Sequence, residues 1–446
     1  MEIKESLTQG SLFKNIFIFS VPLIFTNLLQ TLFNMADVAV LGKFASGEAL
    51  GAVGSTSMIV FFVTGLLIGI GSGVNAIAAY FIGANKPQDV QEALHTSAIL
   101  CTVSGVLIFV AGEFLARPLL VLLHTKSELL EGAVLYVRIY LVSLPAVGFY
   151  NFGNGVLSAE GDTKTPLVYL FISGIINVVL NLVFVIALKM AESGVAIASV
   201  ISQFFSAVLI LTKLIRREDA LALRLRHLKI HREKLFQLIK IGMPAGLQNA
   251  VFAFANMFIQ VGVNSFESAV VIANSGSSNA DPIVYNVMGA FYTAASTFIA
   301  QNYGAENKRR ILRSYFVSLF YSVAVGILGG AMFVLFGRQF MTLFSENPRV
   351  IEFGYERLFI MACSFWISPF MDCTLAASRG LGKTIVPTVI IFLGSCVFRV
   401  IWVYTVFAHF GTILSLFALF PCSWTITAIA EILYFAQLYR KLLKEI

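Results

Sequence analysis

The chain has 446 residues, 58% hydrophobic and only 12% charged, with 41 Phe and a mean hydropathy of +0.85. That leaves too little polar surface to cover a water-soluble globule, which excludes a soluble enzyme. The net charge of +7 would suit a nucleic-acid binder in a soluble protein, but here the basic residues follow a membrane plane.

A bilayer-crossing helix needs ~20 apolar residues, and with its connection ~35 to 40, so this length accommodates about 12. The segment Met1 to Gly10 carries Lys4 with Glu2 and Glu5, and the apolar run from Leu12 is too long for a cleavable signal core. The first span is therefore expected to be retained. Breaks at charge clusters and Gly/Pro/Asn turns predict spans near 14–41, 49–82, 95–123, 133–157, 166–188, 191–212, 241–264, 269–302, 312–336, 352–377, 386–408 and 412–437. With both termini on one side, that side holds 22 of the 31 Lys and Arg, the other side 8, and Arg399 lies mid-span. The positive-inside bias then puts both termini in the cytoplasm. The densest basic stretch, Lys213 to Lys240, falls halfway along the chain. It reads as a cytoplasmic linker, with an amphipathic surface helix as one form of it, rather than as a nucleic-acid site. The expected division is an N-lobe over 1–212, a basic linker over 213–240 and a C-lobe over 241–446.

The two halves repeat at an offset of about 221 residues. Pro22 falls near Pro244, Asn34-Met35 near Asn256-Met257, Gly83-Ala84 on Gly304-Ala305, and Gly161 to Pro166 on Gly382 to Pro387. Six spans per copy, an even number, insert both copies in the same orientation. That predicts an all-α polytopic membrane protein with two pseudo-symmetric six-helix lobes related by an axis along the membrane normal, and a substrate cavity between them.

Several residues are costly where they stand. A carboxylate in a bilayer span costs ~2.5 to 3.5 kcal/mol or more. Asp37 also lies toward the C-terminal end of its span, where the helix dipole disfavours negative charge. It marks either an ion site or an interfacial acid. Asn177 and Asn181 lie one turn apart in span 5 and Ser199 lies in span 6, offering oxygens or plain interhelical hydrogen bonds. Asp372 in span 10 is a second candidate ion group. Arg399 should be a structural charge partnered by an acid such as Asp372 or Glu431. Gln30, Asn34, Gln203, Gln248, Asn256, Tyr285, Asn286 and Met288 are the polar, aromatic and soft side chains expected around a cavity for flat cations. Pro22 and Pro244 are hinge candidates, and Gly65, Gly69 and Gly73 form a close-packing stripe. Glu113, Glu192 and Asp281 lie near span ends and receive no role. Cys101, Cys363, Cys373, Cys396 and Cys422 have no metal or disulfide spacing and read as packing residues. Gly382-Lys383-Thr384 is a false phosphate loop, because Ala377 stands where the motif needs its first glycine.

The order Val21-Pro22, Gln30, Asn34 to Asp37, Gly42, Ala49 to Gly54, Gly83 to Asn85, Glu160 to Pro166, Asn177, Asn181 and Gly194 to Ser199 resembles the multidrug and toxic compound extrusion (MATE) family along the whole chain. The resemblance implies twelve helices in two lobes, no enzymatic activity and no cofactor. It implies export of amphipathic, often cationic compounds in exchange for H+ or Na+, from a monomer in the cell inner (plasma) membrane. It also places Asp37, Asn177, Asn181 and Ser199 around the coupling ion, with Na+ at Asp37 as the one metal to consider. Members with this cluster often carry a second carboxylate where Asn181 stands, which shifts the expectation toward a proton on Asp37. One branch has a glutamate in span 7, where this chain reads Gln248 to Phe252 with no acid. The alternative within the superfamily is a lipid-linked sugar flippase. That function calls for a strongly cationic cavity, and Arg399 is the only basic residue expected mid-span.

Overall fold

A computed structural model describes residues 7–445, apart from the side chains at positions 249, 250, 253 and 443–445. Glu2, Lys4, Glu5 and the side chains of Asn249 and Lys444 therefore lie outside the described residues. The described chain is all-helical, with no strand. In order it runs α1 (Leu12–Phe44), α2 (Gly47–Gly83), α3 (Pro87–Leu122), α4 (Ser127–Leu141), α5 (Leu144–Glu160), α6 (Lys164–Leu182) and α7 (Ala191–Ile215). It continues through α8 (Arg232–Asn264), α9 (Ser268–Ser277), α10 (Ala280–Gly304), α11 (Lys308–Thr342), α12 (Pro348–Ala362) and α13 (Ser368–Gly380). The last crossings are α14 (Ile385–Ile391), α15 (Phe398–Trp402), α16 (Ala408–Phe410), α17 (Ile413–Phe417) and α18 (Leu419–Glu445).

Nine segments among the described residues are long and apolar enough to cross a bilayer, and the pair α4 and α5, bent by 46°, makes a tenth. Helix α8 and the broken pair α12 and α13 complete the twelve crossings. Lipid cannot hydrogen-bond a bare backbone, so each crossing stays helical over most of its length. The duplication is visible in the helix starts. The pairs Gly47 and Ser268, Pro87 and Lys308, Ser127 and Pro348, and Lys164 and Ile385 each lie 221 residues apart. Even the irregularities repeat. The π turn Val183–Ala187 in the first half has a counterpart, Val403–Phe407, in the second.

The chain forms two compact units. Among the described residues the first comprises 25–247, the second 7–24 and 248–445. Within the first, glycine removes the steric bar between helices. A Cβ on Gly71 would stand 2.9 Å from the Asn151 carbonyl oxygen, and one on Gly105 would stand 2.5 Å from that of Leu144. Backbones therefore approach closely, as lipid-embedded packing favours. Within the second, Leu12, Ile16, Phe19 and Leu23 pack with Ala290, Phe291, Ala294 and Phe298. A larger core gathers Met288, Phe333, Phe365 and Trp424.

The basic segment between the halves is not the amphipathic helix entertained from sequence. Helix α7 ends at Ile215 and α8 begins at Arg232. The intervening strap is irregular except for the short turn Leu225–His227, and part of its backbone is tied to a neighbouring helix. Arg224 N–H donates to His95 Nε2 at 3.3 Å and His231 N–H to Thr96 Oγ1 at 3.1 Å. Ala220, Leu221, Ala222 and Leu223 are buried. Arg217 donates to Glu160 at 2.6 Å and 2.8 Å and also pairs with Asp219. Burial alone would raise the Asp219 carboxyl, but the Arg217 guanidinium and the Leu221 N–H hold it below its ordinary value. A depressed carboxylate contributes stability above its unfolded value and loses it as pH falls through the folded one, so acid should loosen the strap. Arg217→Ala is expected to do so at neutral pH. It removes charge-assisted bonds worth ~2 kcal/mol, and trypsin should then cut at Arg224 and Arg226 several-fold faster than in the parent.

Candidate functional site

Four sequence-predicted residues meet in the first unit. Asn181 Nδ2 donates to Asp37 Oδ1 at 2.5 Å and lies 3.2 Å from Asn177 Oδ1. Asn177 Nδ2 in turn donates to Ser199 Oγ at 3.3 Å. Asp37 comes from α1, the two amides from one face of α6, and Ser199 from α7. The amides and the hydroxyl are buried, while Asp37 keeps partial exposure. Gly174, one turn before Asn177, makes the approach possible: a Cβ there would collide with the Phe33 ring. Phe33 sits one turn before Asp37, so this glycine lets α1 settle against α6 with its carboxylate at the amides. The π turn that begins at Val183 follows Asn181 directly, and such turns often mark functional sites in helices. Asn181 Oδ1 is buried without a hydrogen-bond partner. The cluster thus offers one carboxylate, amide and hydroxyl oxygens, and one acceptor left open. This donor set suits a proton on Asp37 or a small hard cation, and contains no soft ligand.

Two residues at this site were not anticipated. Tyr136 and Tyr140 on α4 stack with ring centroids 6.1 Å apart at 15°, and both lie within electrostatic reach of Asp37. Their i, i+4 spacing was the available signal, but nothing local in the sequence shows that α4 brings them within electrostatic reach of Asp37.

The second unit holds a different polar set. Asp372 on α13 is partly exposed. It makes no hydrogen bond or ion pair with the described residues, though the charges of Arg379 and Arg399 act on it. The direct ion pair expected for Arg399 does not form among the described residues. Its Nε donates to Ser423 Oγ at 3.1 Å, and its guanidinium lies 4.7 Å from the Phe420 ring centroid and 5.9 Å from that of Phe252. Aromatic faces and a hydroxyl take the place of a contacting acid. Asp281, given no role from sequence, is the acid that does pair. It accepts from Arg357 at 2.6 Å and 3.3 Å, while Arg357 Nε donates to Asn274 at 3.0 Å.

The profile of the family described as MatE matches residues 22–183 and 244–405, one copy in each half. The chain belongs to the MATE family. It is similar to the probable multidrug resistance protein YpnP of Bacillus subtilis, 28% identical over 79% of this chain and 78% of that protein. The probable multidrug resistance protein NorM of Thermotoga maritima is 25% identical over 84% and 81%. A protein named as an FAD transporter in Shewanella oneidensis is 24% identical over 75% and 74%. Among solved structures, the outward-facing conformation of a multidrug resistance MATE transporter superposes with a TM-score of 0.92 at 23% identity, over 100% of both chains. The fold is therefore the twelve-helix MATE fold, and the chain is an integral membrane transporter and not an enzyme.

In this MATE chain the expected cavity residues are spread over both units. Gln30 and Asn34 on α1 and Asn256 on α8 are exposed, and Gln203 on α7, Tyr285 and Asn286 on α10 are partly buried. Gln248 is buried and accepts from Arg379 at 3.2 Å. Met288 has no exposed surface and packs in the second unit's core. A cavity of about 390 Å³ in that unit, lined by Tyr303, Lys383, Tyr434 and Lys441 among others, contains none of these residues. Cys101, Cys373 and Cys396 are buried as expected of packing residues, whereas Cys363 is exposed at the break between α12 and α13.

Proposed function

We propose that this chain is a secondary active multidrug efflux antiporter, exporting amphipathic, often cationic compounds in exchange for H+ or Na+ by alternating access. The observation that carries the reading is the Asp37 carboxylate, on a helix long and apolar enough to cross a bilayer, tied to Asn181 and through it to Asn177 and Ser199. A charge in that setting is kept where it binds and releases an ion. Protonation or Na+ binding at Asp37 lowers drug affinity in the outward state, so cargo leaves as the ion enters. Asp372 is a second ion-coupling group, and Gln30, Asn34, Gln203, Gln248, Asn256, Tyr285, Asn286 and Met288 belong to the cargo-binding region. Pro22 and Pro244 act as hinges. In support, α1 passes from one compact unit to the other two residues beyond Pro22, and α8 does so three residues beyond Pro244. The protein works as a monomer in the cell inner membrane with both termini and the 213–240 linker on the cytoplasmic side, in keeping with the lysine and arginine distribution.

The test is accumulation of ethidium in proteoliposomes under an imposed pH gradient and, separately, an imposed Na+ gradient. One gradient should drive uptake and the other should not. Uptake indifferent to both gradients would overturn the antiport reading.

A further inference from the structure

Glu431 stands apart from every other acid in the described residues. It lies on α18 with no exposed surface, and neither carboxylate oxygen has a hydrogen-bond partner. Its electrostatic neighbour is Asp372 on α13, the partly exposed acid that likewise makes no direct bond. Several charged and titratable groups among the described residues act on this pair or adjoin it. Arg379 shares α13, Arg399 comes from α15, Tyr285 and Tyr292 come from α10, and Cys373 adjoins Asp372. Tyr434 lies on the same helix as Glu431. Neither arginine comes within ion-pair distance of either acid.

We propose that Glu431 and Asp372 form a second proton-carrying site in the C-terminal unit, loaded and unloaded once per transport cycle. The inference rests on the antiport reading above and assigns the second unit its own share of the coupling. A bare carboxylate with no donor is not sustainable in hydrocarbon, whereas a neutral carboxyl is. Glu431 is therefore the storage group. Asp372, which keeps some exposure, is the group through which the proton arrives from water and to which it returns. In each transfer an O–H bond forms on one carboxylate as one breaks on hydronium or on the other carboxyl. Arg379 and Arg399 balance the charge of Asp372 once its proton has moved on.

The site is not an inherited copy of the Asp37 cluster. At the repeat offset of about 221 residues, Asp37 corresponds to Phe258, Asn177 to Phe398, Asn181 to Trp402 and Ser199 to Phe420. Conversely, Asp372 corresponds to Asn151 and Glu431 to Ile210. Each half has placed its acid at positions where the other half has none.

Two measurements on the purified full-length protein test this. In pH-dependent infrared difference spectra, Glu431→Gln should lose one buried carboxyl C=O component, and Asp37→Asn a different one. In proteoliposomes, the limiting ethidium accumulation ratio of Glu431→Gln should be about tenfold lower per unit of imposed pH difference, the factor one proton contributes. Asp372→Asn should reproduce that loss. An unchanged carboxyl spectrum in Glu431→Gln overturns the proposal. So does a lost component with an unchanged accumulation slope, because the proton would then be bound without travelling. A parent that accumulates nothing under a pH gradient, yet shows the Glu431 component, would sink the proton-driven reading while leaving the carboxyl assignment standing.

Discussion

Asp37→Asn is expected to lower ion-driven ethidium accumulation in inverted vesicles about tenfold per unit of imposed pH difference, leaving only the share carried by the C-terminal acids. The substitution is nearly isosteric and keeps an oxygen to accept from Asn181, whose Nδ2 lies 2.5 Å from Asp37 Oδ1. What it removes is the single negative charge and titratable proton of the cluster. Asn177, Asn181 and Ser199 supply only neutral oxygens, and neutral oxygens cannot exchange a proton. The coupling factor this group contributes, about tenfold per pH unit, should vanish, while the folded protein elutes from size-exclusion chromatography as the parent does. Accumulation at the parental level would mean that the coupling ion is carried elsewhere.

The largest stability effect is expected at Gly69→Leu. A Cβ on Gly69 would land on the backbone nitrogen and Cα of Gly246, and one on Gly73 would lie 2.8 Å from the backbone of Gly242. Backbone cannot rotate out of the way as a side chain can, so α2 and α8 would have to separate along their length. Overpacking of this kind costs about 1–3 kcal/mol or more, and membrane helices have little hydrophobic drive to recover it. Thermal unfolding in detergent should show a clear drop in midpoint. Gly54→Ala on the same helix, where an added Cβ meets nothing within 4 Å, should stay within ~0.5 kcal/mol of the parent. Equal behaviour of the two variants would refute the close approach.

Sequence reasoning reached furthest where chemistry and periodicity coincide. The 221-residue offset between helix starts was readable because lipid thickness fixes span length, and turn residues punctuate it. Asn177 and Asn181 were readable as one face because four residues make about one turn, and Asp37 because an acid in a span is expensive. The misses share a different cause. Tyr136 and Tyr140 within electrostatic reach of Asp37, Arg399 against Ser423, and Asp281 paired with Arg357 depend on which helix lies near which, and at what height. Local spacing does not encode that. The irregular form of the strap between the halves was not legible for a related reason. Its backbone bonds to His95 and Thr96 on a distant helix, whereas composition describes only its charge. Glu431 was visible as an acid, but its isolation is a property of its neighbours.

The matched helix starts also bear on how this protein can be altered. Four successive crossings have kept identical spacing in the two halves, while the acids Asp37, Asp372 and Glu431 have no acidic counterpart at the repeat offset. Length is the quantity that lipid polices, and side-chain identity facing the interior is comparatively free. A crossing from one half can therefore be transplanted into the other at the same register without lengthening or shortening the chain, and such chimaeras offer a route to redistributing charge between the halves while membrane insertion is preserved.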